Sequence, residues 1–401
     1  MIIAHTDEGN IELRCNQLLT NGIVLTKENS ILVDLLNIFL EIYVFDIGIK
    51  RSGKNPRLIE LSTYIDFSNM EIWEENRKII DMLTNFVTDG DQDKWKVNFI
   101  PCEYEFTEEI MDLDDRNIDN VSLISGGLDS FCGAYLNEVN NLKTLYCGYK
   151  TSNVDTSAIA RISNVLHNRE GNAGIVTYSK VDVKKVTFTQ RTRSLLFFSL
   201  AVITAVKEKV KNINVNENGI MTLNPSFQTR GTTKTTHPKT IYLYQSILTN
   251  AGINVKINHP FLFMTKGEMV GLLSDEFINY IKDTRSCSRS LHNPLYDTSS
   301  TISCGTCVPC LLRKISMSAY DMEKYDNEYI VPYSGNMNDE EYRSSIYYFQ
   351  TFYQSIKSNQ IFSELIIKDK YYKVNDYLER TYKMLNTFAL EIEKYMKKYD
   401  G

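Results

Sequence analysis

Two groups of residues in this sequence have the types and spacing to do chemistry. The first is Ser125-Gly126-Gly127-Leu128-Asp129-Ser130, preceded by the apolar run Val121, Leu123, Ile124 and followed by Phe131, Cys132, Ala134 and Tyr135. A short, partly β-branched apolar run reads as a buried strand; the glycine pair breaks it, and Asp129 and Ser130 stand where a helix would begin. Backbone N–H groups of a glycine turn at a helix N-terminus converge where the helix dipole favours an anion, so the stretch predicts a phosphate cradle. It is not the GxxxxGK[ST] loop, because no lysine follows the second glycine, and it is not GxGxxG. The second group is Cys304, Cys307 and Cys310, spaced CxxCxxC, with Cys287 seventeen positions before Cys304. Four thiolates suit a closed tetrahedral zinc site, and Gly305 accepts the tight turn of a metal knuckle. An iron–sulfur cluster is the alternative from the cysteine count. His292 reads as a loop histidine, since four cysteines complete the shell. A zinc ion with four protein ligands has no open position, so its role would be structural.

The elements that position these groups fall into three blocks. Residues 1–118 carry alternating segments (IELRC, RLIELSTYIDF, WKVNFIPCEYEF) that read as strands, and NMEIWEENRKIIDMLTNF has helical spacing with an acidic first half. This predicts an N-terminal α+β domain, joined to the next domain by the acidic stretch at 111–120. From 119 to 334 the pattern is βα alternation: strands at 121–124, 144–150, 174–180, 213–221 and 253–261, and helices over 157–167, 193–210 and 266–282. Such alternation argues for an α/β fold built on a doubly wound parallel sheet. Residues 335–401 are tyrosine-rich with helical spacing and predict two or three helices, their tyrosines serving as core or interface anchors. The whole chain has 401 residues, 43% hydrophobic and 23% charged, the composition of a soluble globular protein. A net charge of −6 gives no general electrostatic reason to bind nucleic acid. The N-terminal MIIAHTDEGNIEL lacks the pattern of a signal peptide, and the most apolar run, ILVDLLNIFLEIYVF, is interrupted by Asp34 and Glu41, which predicts no membrane span. Eight cysteines, three of them within seven residues, point to metal binding in a reducing, cytoplasmic setting.

SGGLDS resembles the SGGxDS signature of the PP-loop ATP pyrophosphatases, which implies that ATP is cut between its α and β phosphates. SGGLDS, TKGE at 265–268, TRSC at 284–287 and CGTCVPCLLR at 304–313 are together similar, in order and composition, to the 7-cyano-7-deazaguanine synthase (QueC-like) family. The resemblance covers roughly residues 121–320 and implies a PP-loop domain with a four-cysteine zinc site, using ATP and Mg2+. The family's reaction adenylates 7-carboxy-7-deazaguanine, lets ammonia attack, and dehydrates the amide to a nitrile with a second ATP. On that basis Ser125, Gly126, Gly127, Leu128 and Ser130 hold the pyrophosphate, and Asp129 is the Mg2+ partner. Lys266 stands near the triphosphate, and Arg193, which opens RSLLFFSLA, contacts phosphate or the substrate carboxylate, with Arg191 as its alternative. Arg313 orients a phosphate or caps the zinc loop.

The chain departs from the family in one region. A YPDCR-like segment that helps hold the base is replaced by NPSFQTRGTTKTTHPKT at 224–240, where His237-Pro238 is what remains, and Glu217 is a candidate for the base edge. The flanking blocks also exceed a single-domain synthase. An extended chain of this kind resembles QueC-like proteins of bacterial antiviral defence operons. For these, the resemblance implies capture of the acyl-adenylate by an amine of a partner protein. Two alternatives stand beside this: a nitrile synthase using ammonia for the queuosine precursor, and an inactive ATP-binding scaffold.

Overall fold

The computed structural model describes residues 2–6, 9–13, 29–50, 56–88, 93–104, 117–150, 153–167, 169–178, 183, 186–187, 191–227, 233–288 and 302–399. His292 and most of the acidic stretch at 111–120 lie outside them.

Two sheets are present. The first has four strands, β1 (Ile2–Thr6), β2 (Gly9–Leu13), β3 (Arg57–Asp66) and β4 (Asp93–Cys102), in the order β2-β1-β3-β4. β1 pairs antiparallel with both β2 and β3. β3 and β4 run parallel, in register from Arg57 opposite Asp93 to Asp66 opposite Cys102. A parallel pair needs a crossover, and α2 (Met70–Thr88) supplies it. The preceding helix α1 (Ser30–Gly48) is buried over most of its surface, because both β3 and a later helix pack on it.

The second sheet has five parallel strands, β5 (Asn120–Ile124), β6 (Thr144–Tyr149), β7 (Asn172–Tyr178), β8 (Asn212–Asn214) and β9 (Lys256–Asn258), ordered β7-β6-β5-β8-β9. Helices α3 (Leu128–Val139), α4 (Asn153–Leu166), α5 (Arg193–Lys207), α6 (Gly219–Leu223) and α7 (Pro238–Asn250) alternate with them, giving the expected α/β core. Two of the expected strands are shorter than their apolar patterns. β8 stops at Asn214 because the Asn218 side chain caps α6, accepting the Met221 N–H; β9 has only three residues. The single helix expected over 266–282 is broken into α8 (Lys266–Gly271), α9 (Asp275–Ile278) and a 3₁₀ turn at Ile281–Asp283. Ser274 starts the second piece by capping the Phe277 N–H, and a cap of that kind ends whatever precedes it. The chain closes with α10 (Val308–Ala319), α11 (Glu340–Lys357), α12 (Ile361–Glu364) and α13 (Tyr377–Tyr399).

By contacts the chain forms two compact units, divided differently from the boundaries drawn at 118 and 334. The first contains Met1–Val121, Val176–Ile213 and Thr232–Asn258. Its later segments belong with the N-terminal block because α5 packs on α1 and α7 on α2. The second contains Ser122–Ile175, Asn214–Gly231 and His259–Gly401. One of its cores gathers Ile124, Leu128 and Phe131 with Phe261, Met269, Phe277 and Ile281. The other packs Leu311, Leu312 and Ile315 of α10 against Tyr342, Phe349 and Phe352 of α11 and Met384, Phe388 and Ile392 of α13. Tyrosine-rich helices thus bury Tyr342, Tyr348 and Tyr395 as core anchors, while Tyr347 and Tyr382 face solvent. No helix among the described residues is long and apolar enough to cross a membrane.

The first unit is pinned by a buried ion triad. Arg57 Nη2 donates to Asp46 Oδ1 at 2.6 Å and to Asp93 Oδ2 at 2.7 Å, and Nε donates to Asp93 Oδ1 at 2.8 Å. Thr192 Oγ1 donates to Asp46 Oδ2 at 2.9 Å. Removing one partner from such a network strands buried charge, which costs about 3–5 kcal/mol. Arg57→Met is therefore expected to lower unfolding stability by about that amount, read from urea denaturation, whereas Arg77→Met, on a half-exposed pair, should cost less than about 1 kcal/mol.

Candidate functional site

β5 is the strand at which the sheet changes direction: β6 and β7 lie on one side of it, β8 and β9 on the other. In such sheets the crevice outside the carboxyl ends of the strands at this reversal is the ligand site. The SGGLDS turn continues directly from the carboxyl end of β5. Gly126 has φ +77°, and a Cβ there would lie 2.6 Å from Ala158 Cβ and 2.8 Å from Ile159 N, so only glycine fits between the turn and α4. Gly127 begins α3, and no side chain caps that helix. The Phe131 N–H bonds back to Gly127 O at 3.1 Å, which leaves the N–H groups of Leu128, Asp129 and Ser130 directed out of the helix end. Ser130 Oγ donates to Gly127 O at 2.9 Å and lies 3.4 Å from Ser125 Oγ. Three amides, the Ser125 hydroxyl and the helix dipole make an anion cradle.

Asp129, in the first turn of α3, belongs to a buried cluster. Its Oδ1 accepts from Lys266 Nζ, and its Oδ2 accepts from the Asn218 N–H at 3.1 Å and Asn218 Nδ2 at 2.7 Å. Asn218 Nδ2 also reaches Glu217 Oε1 at 3.2 Å. Burial alone would push the Asp129 carboxyl up, but the Lys266 ammonium and the hydrogen bonds from Glu217, Lys266 and Asn218 hold it down at about 2. Burial, and then the Asp129 charge beside it, pushes Glu217 well above the usual range, so Glu217 keeps its proton and donates it to Asp129. The cluster therefore holds one carboxylate, one ammonium and one neutral acid. His259, just past β9, sits 2.8 Å from Glu217 O through Nε2. Burial pushes this imidazole down to about 4, so it is neutral and acts as the N–H donor.

Lys266 is placed by a capping box. Thr265 Oγ1 accepts the Glu268 N–H at 3.0 Å, and Glu268 Oε2 accepts the Thr265 N–H at 2.8 Å. This fixes the start of α8, and with it the root of the Lys266 side chain.

The TRSC segment closes over the glycine turn. The Arg285 N–H donates to Gly126 O at 2.9 Å, and the Arg285 carbonyl lies 3.4 Å from where a Cβ on Gly127 would stand. The segment is held from beneath by Arg313, whose Nη1 donates to Thr284 Oγ1 at 2.9 Å, Nη2 to Ile281 O at 3.0 Å and Nε to Asp326 Oδ1 at 2.7 Å. Arg313 is fully buried and committed to these partners, which makes it a brace of the cysteine loop and not a phosphate ligand.

Two residues beyond Arg285, Cys287 joins Cys304, Cys307 and Cys310, with all four sulfurs within 4.8 Å of one another. Cys304 Sγ lies 3.5 Å from Cys287 Sγ and 3.8 Å from Cys310 Sγ. Tetrahedral zinc with Zn–S bonds of about 2.3 Å needs sulfurs about 3.8 Å apart, so the four residues fit the ion. The N–H groups of Thr306 and Cys307 both donate to Cys304 Sγ at 3.4 Å, as a thiolate requires. Lys314 Nζ ties the knuckle to the next segment through Gly305 O, Val331 O and Pro332 O at 2.6–2.9 Å.

Three residues expected at the site belong to the first unit, with partners there. Arg191 Nη1 donates to Thr88 O at 2.7 Å. Arg193 opens α5 with its guanidinium 5.3 Å from the Phe197 ring. His237 caps α7, its Nδ1 accepting the Lys239 N–H at 3.1 Å, and burial pushes its pKa well below the ordinary value. Residues not anticipated as part of the site are Asn218, His259 and the backbone of Arg285. Asn218 lay inside the strand expected at 213–221 and Arg285 inside a recognised string, and neither the Asn218–Asp129 nor the Arg285–Gly126 pairing is local in sequence.

Residues 150–321 match the family model described as "Queuosine biosynthesis protein QueC". The matched stretch contains Lys266, TRSC and all four cysteines; SGGLDS precedes it. A comparison with curated proteins gives no significant match. Over residues 150–321 the chain is similar to QueC.

With zinc bound at the four sulfurs, Cys287 would be fixed, and Arg285 with it over the glycine turn. Chelation of the metal, or Cys307→Ser, is expected to release about one zinc per chain and lower the melting temperature by several degrees. ATP affinity should fall with it, measured by equilibrium dialysis.

Proposed function

We propose that the QueC-like chain is an ATP-dependent carbon–nitrogen ligase that adenylates the carboxylate of a 7-deazaguanine acid and passes the acyl group to an amine of a partner protein. The coarse part of this reading comes from the family: a PP-loop, ATP-using enzyme related to 7-cyano-7-deazaguanine synthesis. The observation that carries the rest is the junction at the start of α3, where an anion cradle and a buried Asp129–Lys266 pair share one helical turn.

A carboxylate is a poor electrophile. In the first step its oxygen attacks the α-phosphorus of ATP, the bond from that phosphorus to the bridging oxygen breaks, and pyrophosphate leaves. The amides of Leu128, Asp129 and Ser130 and the hydroxyl of Ser125 receive the leaving charge, and Lys266 supplies a positive charge beside it. Asp129, the one carboxylate of the cluster, is the residue that would hold Mg2+, which would offset the phosphate charge when bound. In the second step the amine nitrogen attacks the acyl carbon, the bond to the adenylate oxygen breaks, AMP leaves and a proton passes to water. Positioning is most of what such a site contributes.

The reading of a partner protein as amine donor rests on the blocks that flank the matched stretch in sequence, the N-terminal mixed sheet with its helices and the C-terminal helices, which exceed a single-domain synthase. The cysteine site and the TKGE and TRSC strings favour a second reading, in which ammonia is the nucleophile and a second ATP dehydrates the amide to the nitrile. Incubation with ATP, Mg2+, 7-carboxy-7-deazaguanine and either ammonium or candidate partners separates the two by intact-mass spectrometry. A partner mass increased by the acyl group, with AMP and pyrophosphate formed in equal amounts, is the expected result. Free nitrile with no adduct on any partner overturns the ligation, and absence of pyrophosphate under all conditions overturns the adenylation.

A further inference from the structure

A carboxyl group from the C-terminal helix lies under the turn that carries Lys266. Glu391, on α13, is buried, and Thr265 Oγ1 donates to its Oε1. The same hydroxyl accepts the Glu268 N–H, so both of its hydrogen-bonding directions are committed. The close approach is built into the sequence: a Cβ on Gly267 would stand 2.4 Å from Glu391 Oε1 and 2.6 Å from the Tyr320 ring. Only a glycine at the second position of α8 leaves room for the acid. The second oxygen, Oε2, is buried as well, with the Ser316 hydroxyl of α10 beside the carboxyl. α13 is held to this place through α10, which packs on both α8 and α13, and Lys394 Nζ adds a bond to Ala319 O at 3.0 Å.

We infer that Glu391 is a positioning residue for Lys266: it holds Thr265 at the start of α8, fixes where the Lys266 ammonium stands against Asp129, and so makes the C-terminal helical block a part of the ATP site. This rests on the adenylation reading proposed above. Burial, with Glu268 adding to it, pushes the Glu391 acid up to about 8, so at neutral pH it is uncharged. The titratable groups facing it are Glu268 on α8, Tyr320 after α10 and Lys394 on its own helix. Glutamine, neutral and of the same shape, keeps the oxygen that Thr265 needs.

The test uses the full chain and compares Glu391→Gln, Glu391→Leu and Thr265→Val with wild type. Nucleotide affinity is measured with ATP and Mg2+ by equilibrium dialysis, and pyrophosphate release is measured with 7-carboxy-7-deazaguanine. Glu391→Leu and Thr265→Val are expected to weaken ATP binding and slow pyrophosphate release by on the order of tenfold to a hundredfold. Glu391→Gln should stay within about threefold of wild type. Zinc content and melting temperature, recorded for each variant, separate misfolding from mispositioning, and Glu391→Gln remains informative if the leucine variant unfolds. Wild-type values in folded Glu391→Leu, or a glutamine variant as impaired as the leucine one, overturn the inference. If wild type binds ATP but releases no pyrophosphate, the adenylation reading fails, while the affinity differences still decide whether Glu391 positions Lys266.

Discussion

The buried pair between Asp129 and Lys266 is the interaction on which the geometry of the second unit depends. Two charges taken out of water do not stabilise a protein by themselves; their attraction roughly offsets the desolvation cost, and only when every remaining polar atom is served. The surroundings meet that condition for the carboxylate. Asn218 gives Asp129 two further donors, Glu217 shares its proton, and the capping box fixes the turn from which Lys266 extends. An apolar pair of similar volume would hold the fold as well. What a carboxylate and an ammonium add is a charge arrangement beside a helix end already shaped for an anion.

The metal centre relates to this pair through one short segment. Four thiolates around a zinc ion would leave no position for a substrate, so the cluster would act through what it immobilises. From Cys287 the chain runs back through Arg285, whose N–H bonds the carbonyl of Gly126, and Arg313 braces the same segment from α10. A glycine turn with positive φ carries little conformational preference of its own and is held by its neighbours. Here those neighbours are α4 on one side and the zinc-anchored segment on the other.

The local signals were legible in the sequence. Strand, glycine turn and helix at 121–135 arise from residue types within a few positions of one another, and so do the CxxCxxC knuckle and the helical spacing of α11 and α13. Less legible was whatever depends on distant partners. Nothing in the string ENGI announces that Asn218 bonds Asp129, 89 positions earlier, and nothing in a lone glutamate near the C-terminus announces Thr265. The pattern at 266–282 looked like one helix because its apolar spacing persists through Gly271 and Ser274, where a cap restarts the chain. Arg191 and His237 looked chemical by type, yet each has a backbone to hold in the first unit.

The most direct measurement is acid-dependent exchange of labelled pyrophosphate into ATP, which reports formation of an acyl-adenylate without reference to the nucleophile. Adenylation at this site predicts exchange with wild type only when 7-carboxy-7-deazaguanine is present, and none with the paired variant Asp129→Asn/Lys266→Met, which leaves no buried charge unpartnered. Exchange that persists in the folded paired variant, or that proceeds equally without the acid, would contradict it.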